Sequence, residues 1–128
     1  MKTGVIIQAR MQNARLPGKV LLDLAGIPII ERVVCRCRKS ELPVVVATSR
    51  ATADDQIAKW CDDFGIDYWR GPHSNVLERT LQAASRFGFT DVVRVCGDSP
   101  FVAPQRICDL VAERSRWSQA IDYVGYTV

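Results

Sequence analysis

No apolar run in this chain approaches the length needed to cross a bilayer; the longest, such as Pro43 to Ala47, are far too short. The N-terminus also lacks a basic start followed by an apolar signal region, and runs straight into a strand-like segment. The expectation is a cytoplasmic protein without membrane insertion. Histidine occurs once, at His73, and the five cysteines (Cys35, Cys37, Cys61, Cys96, Cys108) form no CxxC pair, so zinc has no obvious ligand set. An odd cysteine number without a secretion signal reads as reduced thiols. Two familiar phosphate loops are missing as well. Gly18-Lys19 is followed by Val20 and lacks the first glycine of GxxxxGK[ST], and there is no GxGxxG. Linkers, repeats and low-complexity stretches are likewise absent.

What is present is an ordinary globular composition. The 128 residues are 48% hydrophobic and 24% charged, the size and make-up of one domain with a real core. The net charge of +3 is unevenly spread. Residues 1–50 carry nine Lys/Arg against three Asp/Glu, and residues 51–128 carry eight against eleven. A basic first third points to an anionic ligand or to a solvated helix face. Arg32, Arg36, Arg38 and Lys39 fall in one expected helix and read as solvated surface. Arg10, Arg15 and Lys19 crowd a single loop instead.

Hydrophobic patterning predicts alternating strands and helices. Thr3 to Ala9 and Pro43 to Thr48 read as buried parallel strands, with Ile66 to Trp69 and Val92 to Cys96 as a third and a fourth. Pro28 to Ser40, Ala53 to Phe64, Ser74 to Phe87 and Pro104 to Arg114 read as helices. Pro begins the first and last of these, Ser74 or Asn75 caps the third, and Gly65 and Gly88 act as stops. Ile121 to Val124 could begin a fifth strand. The expected fold is α/β, a doubly wound and mostly parallel sheet with helices on both faces. Ligands of such sheets sit outside the carboxyl ends of the strands, which directs attention to the loops after Ala9, Thr48 and Cys96.

The first of these loops reads QARMQNARLPGKVL. Arg10, Arg15 and Lys19 present fork-shaped and point-like donors there, Pro17 and Gly18 shape the turn, and exposed backbone N–H groups add to the pull on a polyphosphate. A mobile, merely solvated basic loop is the alternative, weakened by its position after a central strand. After the fourth strand comes Gly97-Asp98-Ser99-Pro100, where Asp98 is either a hard oxygen ligand for Mg²⁺ or a turn-forming residue.

These segments resemble the bacterial acylneuraminate/KDO cytidylyltransferase family, most closely its spore coat polysaccharide protein F branch. That branch opens with a strand, then QARMxSxRLPGKVL, then a GxPxxERV helix. The match runs through Gln8 to Met11, Arg15 to Leu21, Gly26 to Val33, Val45 to Thr48, Asp54-Asp55, Arg70-Gly71, Val76 to Arg79 and Cys96 to Pro100. The resemblance implies a nucleotide-diphospho-sugar transferase-like fold, with residues 1–128 forming a single nucleotide-binding domain. It implies an enzyme of surface polysaccharide synthesis, in which the anomeric hydroxyl of an acidic sugar attacks the α-phosphate of CTP and pyrophosphate leaves.

By the same resemblance, Arg10, Arg15 and Lys19 hold the triphosphate, and the backbone near Gln8 and Ala9 meets the base. Arg79, with Thr48 and Ser49, closes the nucleotide pocket, and Asp98 binds magnesium. Arg79 has an alternative reading as a solvated helix residue. The family loop usually carries a Gly-Ser pair where this chain has Gln12 and Asn13, so Gln12 is expected to crowd the nucleotide or redirect the loop. Family members run to about twice this length, and their second half supplies another magnesium carboxylate and sugar contacts. A truncated family fold is therefore expected, and a non-catalytic nucleotide-binding or dimer-forming domain is the alternative to an enzyme. Val124, Tyr126 and Val128 are expected to leave apolar surface that favours a homodimer or other self-association. Nucleic acid is not an expected partner.

Overall fold

The computed structural model describes residues 2–117 and 122–125. Strand β1 (Thr3–Gln8) is followed by a short hairpin of β2 (Asp23–Leu24) and β3 (Ile27–Pro28), then helix α1 (Ile29–Arg38). The chain continues through β4 (Val44–Ser49), α2 (Asp55–Phe64), β5 (Tyr68–Gly71), α3 (Val76–Phe87), β6 (Asp91–Cys96) and α4 (Pro104–Arg116). The main sheet has the order β5-β4-β1-β6, and all its pairings are parallel.

Burial follows this order. Every residue of β4 is buried, because it has a strand on either side and helices above and below. The apolar side chains of β1 divide by parity. Val5 and Ile7 pack with Val33 and Val34 of α1 and Ile57, Trp60 and Cys61 of α2, together with Ile107 of α4. Ile6 faces the other way, toward Ala83 and Ala84 of α3 and Phe89. Helices thus cover both faces, and the sheet is doubly wound.

The expected elements recur with small shifts. Asn75 caps α3, its Oδ1 accepting the Glu78 N–H at 2.9 Å. Gly65 and Gly88 end α2 and α3 in the left-handed conformation, and Pro104 opens α4. β5 begins at Tyr68, two residues later than predicted, because Ile66 serves as a core plug at the end of α2. A 3₁₀ turn, Thr52–Asp54, precedes α2. The hairpin was not foreseen. Asp122 to Val124 carry no strand, while Ile121, Tyr126 and Val128 lie outside the described residues.

Two arginines expected to be solvated surface have structural partners. Arg32 donates to the carbonyls of Leu24 and Ala25 at 2.7 and 3.1 Å, tying α1 to the hairpin. Arg36 donates to the Val102 carbonyl at 2.5 Å and ties α1 to the approach of α4. Both sit on the α1 face that meets other elements, a placement that residue type alone does not reveal. Arg38 and Lys39 are exposed, as expected.

Candidate functional site at the switch point

The winding reverses at β1. From β1 the chain moves through β4 to β5 on one side, then returns through α3 to place β6 on the other. A crevice forms where neighbouring strands lead their connections in opposite directions, and here it lies between the carboxyl ends of β1 and β6. The loops following those strands are the basic loop and the segment containing Asp98. They meet directly. Lys19 Nζ lies 3.4 Å from Asp98 Oδ2, with both side chains 38% exposed.

Close approach at this point depends on Gly97. Its N–H donates to the Gln8 carbonyl at 2.8 Å, and a Cβ built on it would stand 2.8 Å from that same oxygen and 3.1 Å from Ala9 Cβ. Only a residue without a side chain lets the two loops start this close together.

The basic loop is an internally closed turn. Gly18, at φ 75°, donates to the Met11 carbonyl at 2.7 Å and so joins the two ends of the loop. Asn13 Oδ1 accepts the backbone N–H groups of Arg15 and Leu16 at 2.9 and 3.0 Å. Asn13 therefore builds the turn, in the way Asn side chains commonly do. Gln12 is exposed on the rim of an open cleft of about 640 Å³, lined also by Arg10, Met11, Asn13, Pro17 and Ala53. Arg10 and Arg15 are exposed, and among the described residues their guanidinium groups have no hydrogen-bond or ion-pair partner. Their charge is free for an external anion.

The other expected site residues lie beneath this surface. Ala9 is 2% exposed, with its N–H bonded to the Ala47 carbonyl. Thr48 and Ser49 are fully buried at the end of β4. Thr48 Oγ1 has no hydrogen-bond partner among the described residues. The Ser49 hydroxyl donates to Asp54 Oδ2 and accepts the Ala51 N–H at 3.1 Å, with His73 Nδ1 at 3.3 Å.

Arg79 is 1% exposed, which rules out a solvated helix residue. Its Nε donates to Gln8 Oε1 at 3.1 Å, and its Nη1 donates to the carbonyls of Pro72 and His73 at 3.2 and 3.3 Å. Gln8 is held at its other end, its Nε2 donating to Thr80 Oγ1 at 2.6 Å. Burial pulls the Arg79 guanidinium below its ordinary range; Asp54 opposes that shift, and Arg10 and Arg94 add to it. Burying a cation is tolerable here because neutral oxygens surround it and a carboxylate lies near.

In the sequence Asp54 stands only as half of the matched Asp54-Asp55 pair, with no role attached. It is 1% exposed, and its Oδ1 accepts the Met11 N–H at 2.7 Å. An acid placed just after a central strand and before a helix was the available signal. Its partner in the loop is far away in sequence, so its function was not legible.

Among the described residues no group of three or more His, Cys, Asp or Glu side chains could hold a metal ion. The half-exposed carboxylate of Asp98 still suits a cation that takes most of its ligands from water and phosphate, as Mg²⁺ commonly does. No helix among the described residues is long and apolar enough to cross a membrane.

Comparison with known proteins agrees with this geometry. A family model described as Cytidylyltransferase matches residues 4–123. The 3-deoxy-manno-octulosonate cytidylyltransferase of Verminephrobacter eiseniae is 40% identical over 113 residues, covering 84% of this chain and 40% of that protein. The spore coat polysaccharide biosynthesis protein SpsF of Bacillus subtilis is 33% identical over 124 residues, covering 92% of this chain and 51% of that protein. A cytidylyltransferase structure from Leptospira borgpetersenii superposes with a TM-score of 0.82 at 32% identity, over 94% of this chain and 51% of the other. The chain spans about half the length of the curated relatives it matches. With its switch-point cations and a match over nearly its whole length, this chain belongs to the cytidylyltransferase family.

Proposed function

We propose that the switch-point crevice binds CTP and supports transfer of CMP to an acidic sugar of the nonulosonic or KDO type, as a step toward a surface polysaccharide. The observation that carries this reading is the meeting of Lys19 and Asp98 across the crevice, beside two arginines that have no partner among the described residues. Arg10 and Arg15 supply forked donors suited to phosphate oxygens, and Lys19 supplies a point charge. When the sugar hydroxyl attacks the α-phosphorus and the bond to the β-phosphate breaks, negative charge grows on the departing pyrophosphate. Fixed cations at that place stabilise it with no covalent work by the protein. Asp98 would hold Mg²⁺, which neutralises phosphate charge when bound. Gln8, Ala9, Thr48, Ser49 and Arg79 shape the floor on which the nucleoside would rest. Self-association belongs to the same proposal.

Calorimetry of this chain with CTP, ATP, GTP and UTP in the presence of Mg²⁺ tests the nucleotide. Preferential CTP binding is expected, and no binding of any triphosphate would refute the reading. Pyrophosphate release with CTP and a panel of acidic sugars then tests turnover. Binding without release would leave a nucleotide-binding domain rather than an enzyme.

A further inference from the structure

We infer that Asp54 is a positioning residue that holds the basic loop in its ligand-ready shape, fastening the Met11 N–H to the end of β4 through Ser49. The role rests on the nucleotide reading of the loop, but the loop geometry itself is independent of it.

Asp54 accepts the hydrogen bond that ties Met11, in the first turn of the loop, to the rest of the fold. Met11 follows Arg10 directly, so fixing the Met11 N–H fixes the peptide that aims the Arg10 side chain. Gly18 closes on the Met11 carbonyl, which means that both polar groups of Met11 are anchors. The loop hangs from this residue. A 1% exposed carboxylate has few ways to satisfy its lone pairs, and here both oxygens receive donors from different segments.

The chemistry requires an acceptor on both sides. Ser49 has one hydroxyl proton and gives it to Asp54, leaving its oxygen to accept from Ala51 N–H and from His73 Nδ1–H. His73 is faced by Ser49, and its carbonyl accepts from Arg79, which is bonded to Gln8. A partly buried polar chain therefore runs from the basic loop through Asp54, Ser49, His73 and Arg79 to Gln8. The carbonyl of Gln8 in turn holds the N–H of Gly97, next to Asp98. Asp54 is the end of that chain that touches the loop.

Replacing Asp54 with Asn makes a specific alteration. Its oxygen can still accept from Met11, but its NH₂ must now donate to Ser49. The Ser49 hydroxyl must then turn its proton away from residue 54. Asp54→Asn should therefore keep the acceptor for the Met11 N–H while disturbing only the contact with Ser49.

Amide hydrogen exchange of the ligand-free chain, together with calorimetric CTP titration, tests the role. In Asp54→Ala, exchange at Met11 should rise at least tenfold and loop residues should follow, while protection in β1 and β4 is retained. CTP affinity should fall about tenfold in parallel. Asp54→Asn, which keeps an acceptor for the Met11 N–H, should retain most of the loop protection. Unchanged Met11 exchange in Asp54→Ala overturns the inference, as does a loosened loop with unchanged CTP affinity. Should Asp54→Ala fail to fold, Ser49→Ala decides: it unfastens Asp54 from β4, and Met11 exchange as slow as in the wild type overturns the inference. Failure of the wild type to bind CTP would sink the nucleotide reading, while the exchange data would still test the anchor.

Discussion

Substituting Gly97 with alanine probes the closest backbone approach in the site. Gly97 does not occupy the left-handed region, so alanine meets no conformational penalty there and only space matters. The new Cβ would lie 2.8 Å from the Gln8 carbonyl oxygen and 3.1 Å from Ala9 Cβ. One obstacle is backbone of the interior strand β1 and the other is the buried residue that follows it, so neither can turn aside. An ordinary contact needs about 3.5 Å, so the β6 loop must retreat by roughly 0.7 Å. That retreat strains or breaks the 2.8 Å bond from the Gly97 N–H to Gln8. Overpacking costs about 1–3 kcal/mol and the weakened bond about 1 more, for a total of about 2–4 kcal/mol. A chain of this size should then melt on the order of 10 °C lower. Urea denaturation and calorimetry would measure both quantities. Gly88→Ala is the control, because Gly88 sits at φ 73° with nothing within 4 Å of a built Cβ. It should show only the left-handed penalty of about 1 kcal/mol. Gly97→Ala should also weaken CTP binding, since the same shift separates Lys19 from Asp98. If Gly97→Ala is no less stable than Gly88→Ala, the claim that the crevice depends on backbone contact at Gly97 is refuted.

Other outcomes follow from the same geometry. Lys19→Gln should leave the melting temperature nearly unchanged, because an ion pair this exposed contributes under about 1 kcal/mol. It should cost at least about tenfold in CTP affinity on the proposed reading, and equal affinity for both proteins would remove Lys19 from the site. Arg79→Met fills similar volume but strands Gln8 Oε1 and two carbonyls, so denaturation should reveal a loss of about 2–4 kcal/mol; a change below about 0.5 kcal/mol would show that the guanidinium is dispensable. All five cysteines are free; Cys35, Cys96 and Cys108 are exposed, and burial pushes Cys37 and Cys61 from 9.0 to about 12. A thiol reagent near neutral pH should titrate three groups quickly and two only on unfolding. The buried thiols hold their protons more tightly when folded. Their contribution to stability is therefore full below pH 9 and lost as pH rises toward about 12, a decline that alkaline melting curves would record.

Much of the framework was already legible in the sequence. Short β-branched runs such as VVVAT at Val44 to Thr48 bury on both faces of a parallel sheet. Gly65, Gly88, Asn75 and Pro104 mark helix ends through properties of their own backbones or side chains. The cations of the QAR to PGK loop are contiguous, so their crowding needs no tertiary knowledge. Such features are local, and local chemistry determines them.

What only the tertiary structure decided is which groups meet across long stretches of chain. Lys19 and Asp98 face each other because the sheet reverses direction at β1, an outcome of strand order that no single segment encodes. Arg79 reads either as a residue that closes the pocket or as a solvated helix residue, and only the packing of α3 on the sheet buries it and turns it toward Gln8. Arg32 and Arg36 likewise found carbonyl partners on elements that residue type could not nominate. Asp54 needed Met11, 43 positions away, to become an anchor. Sequence determined the elements and the charge of the loop, because propensity and burial pattern act over a few residues. The crevice and the polar chain beneath it were decided by packing, because desolvation makes each polar group taken from water accept whatever partner the assembled fold brings within reach.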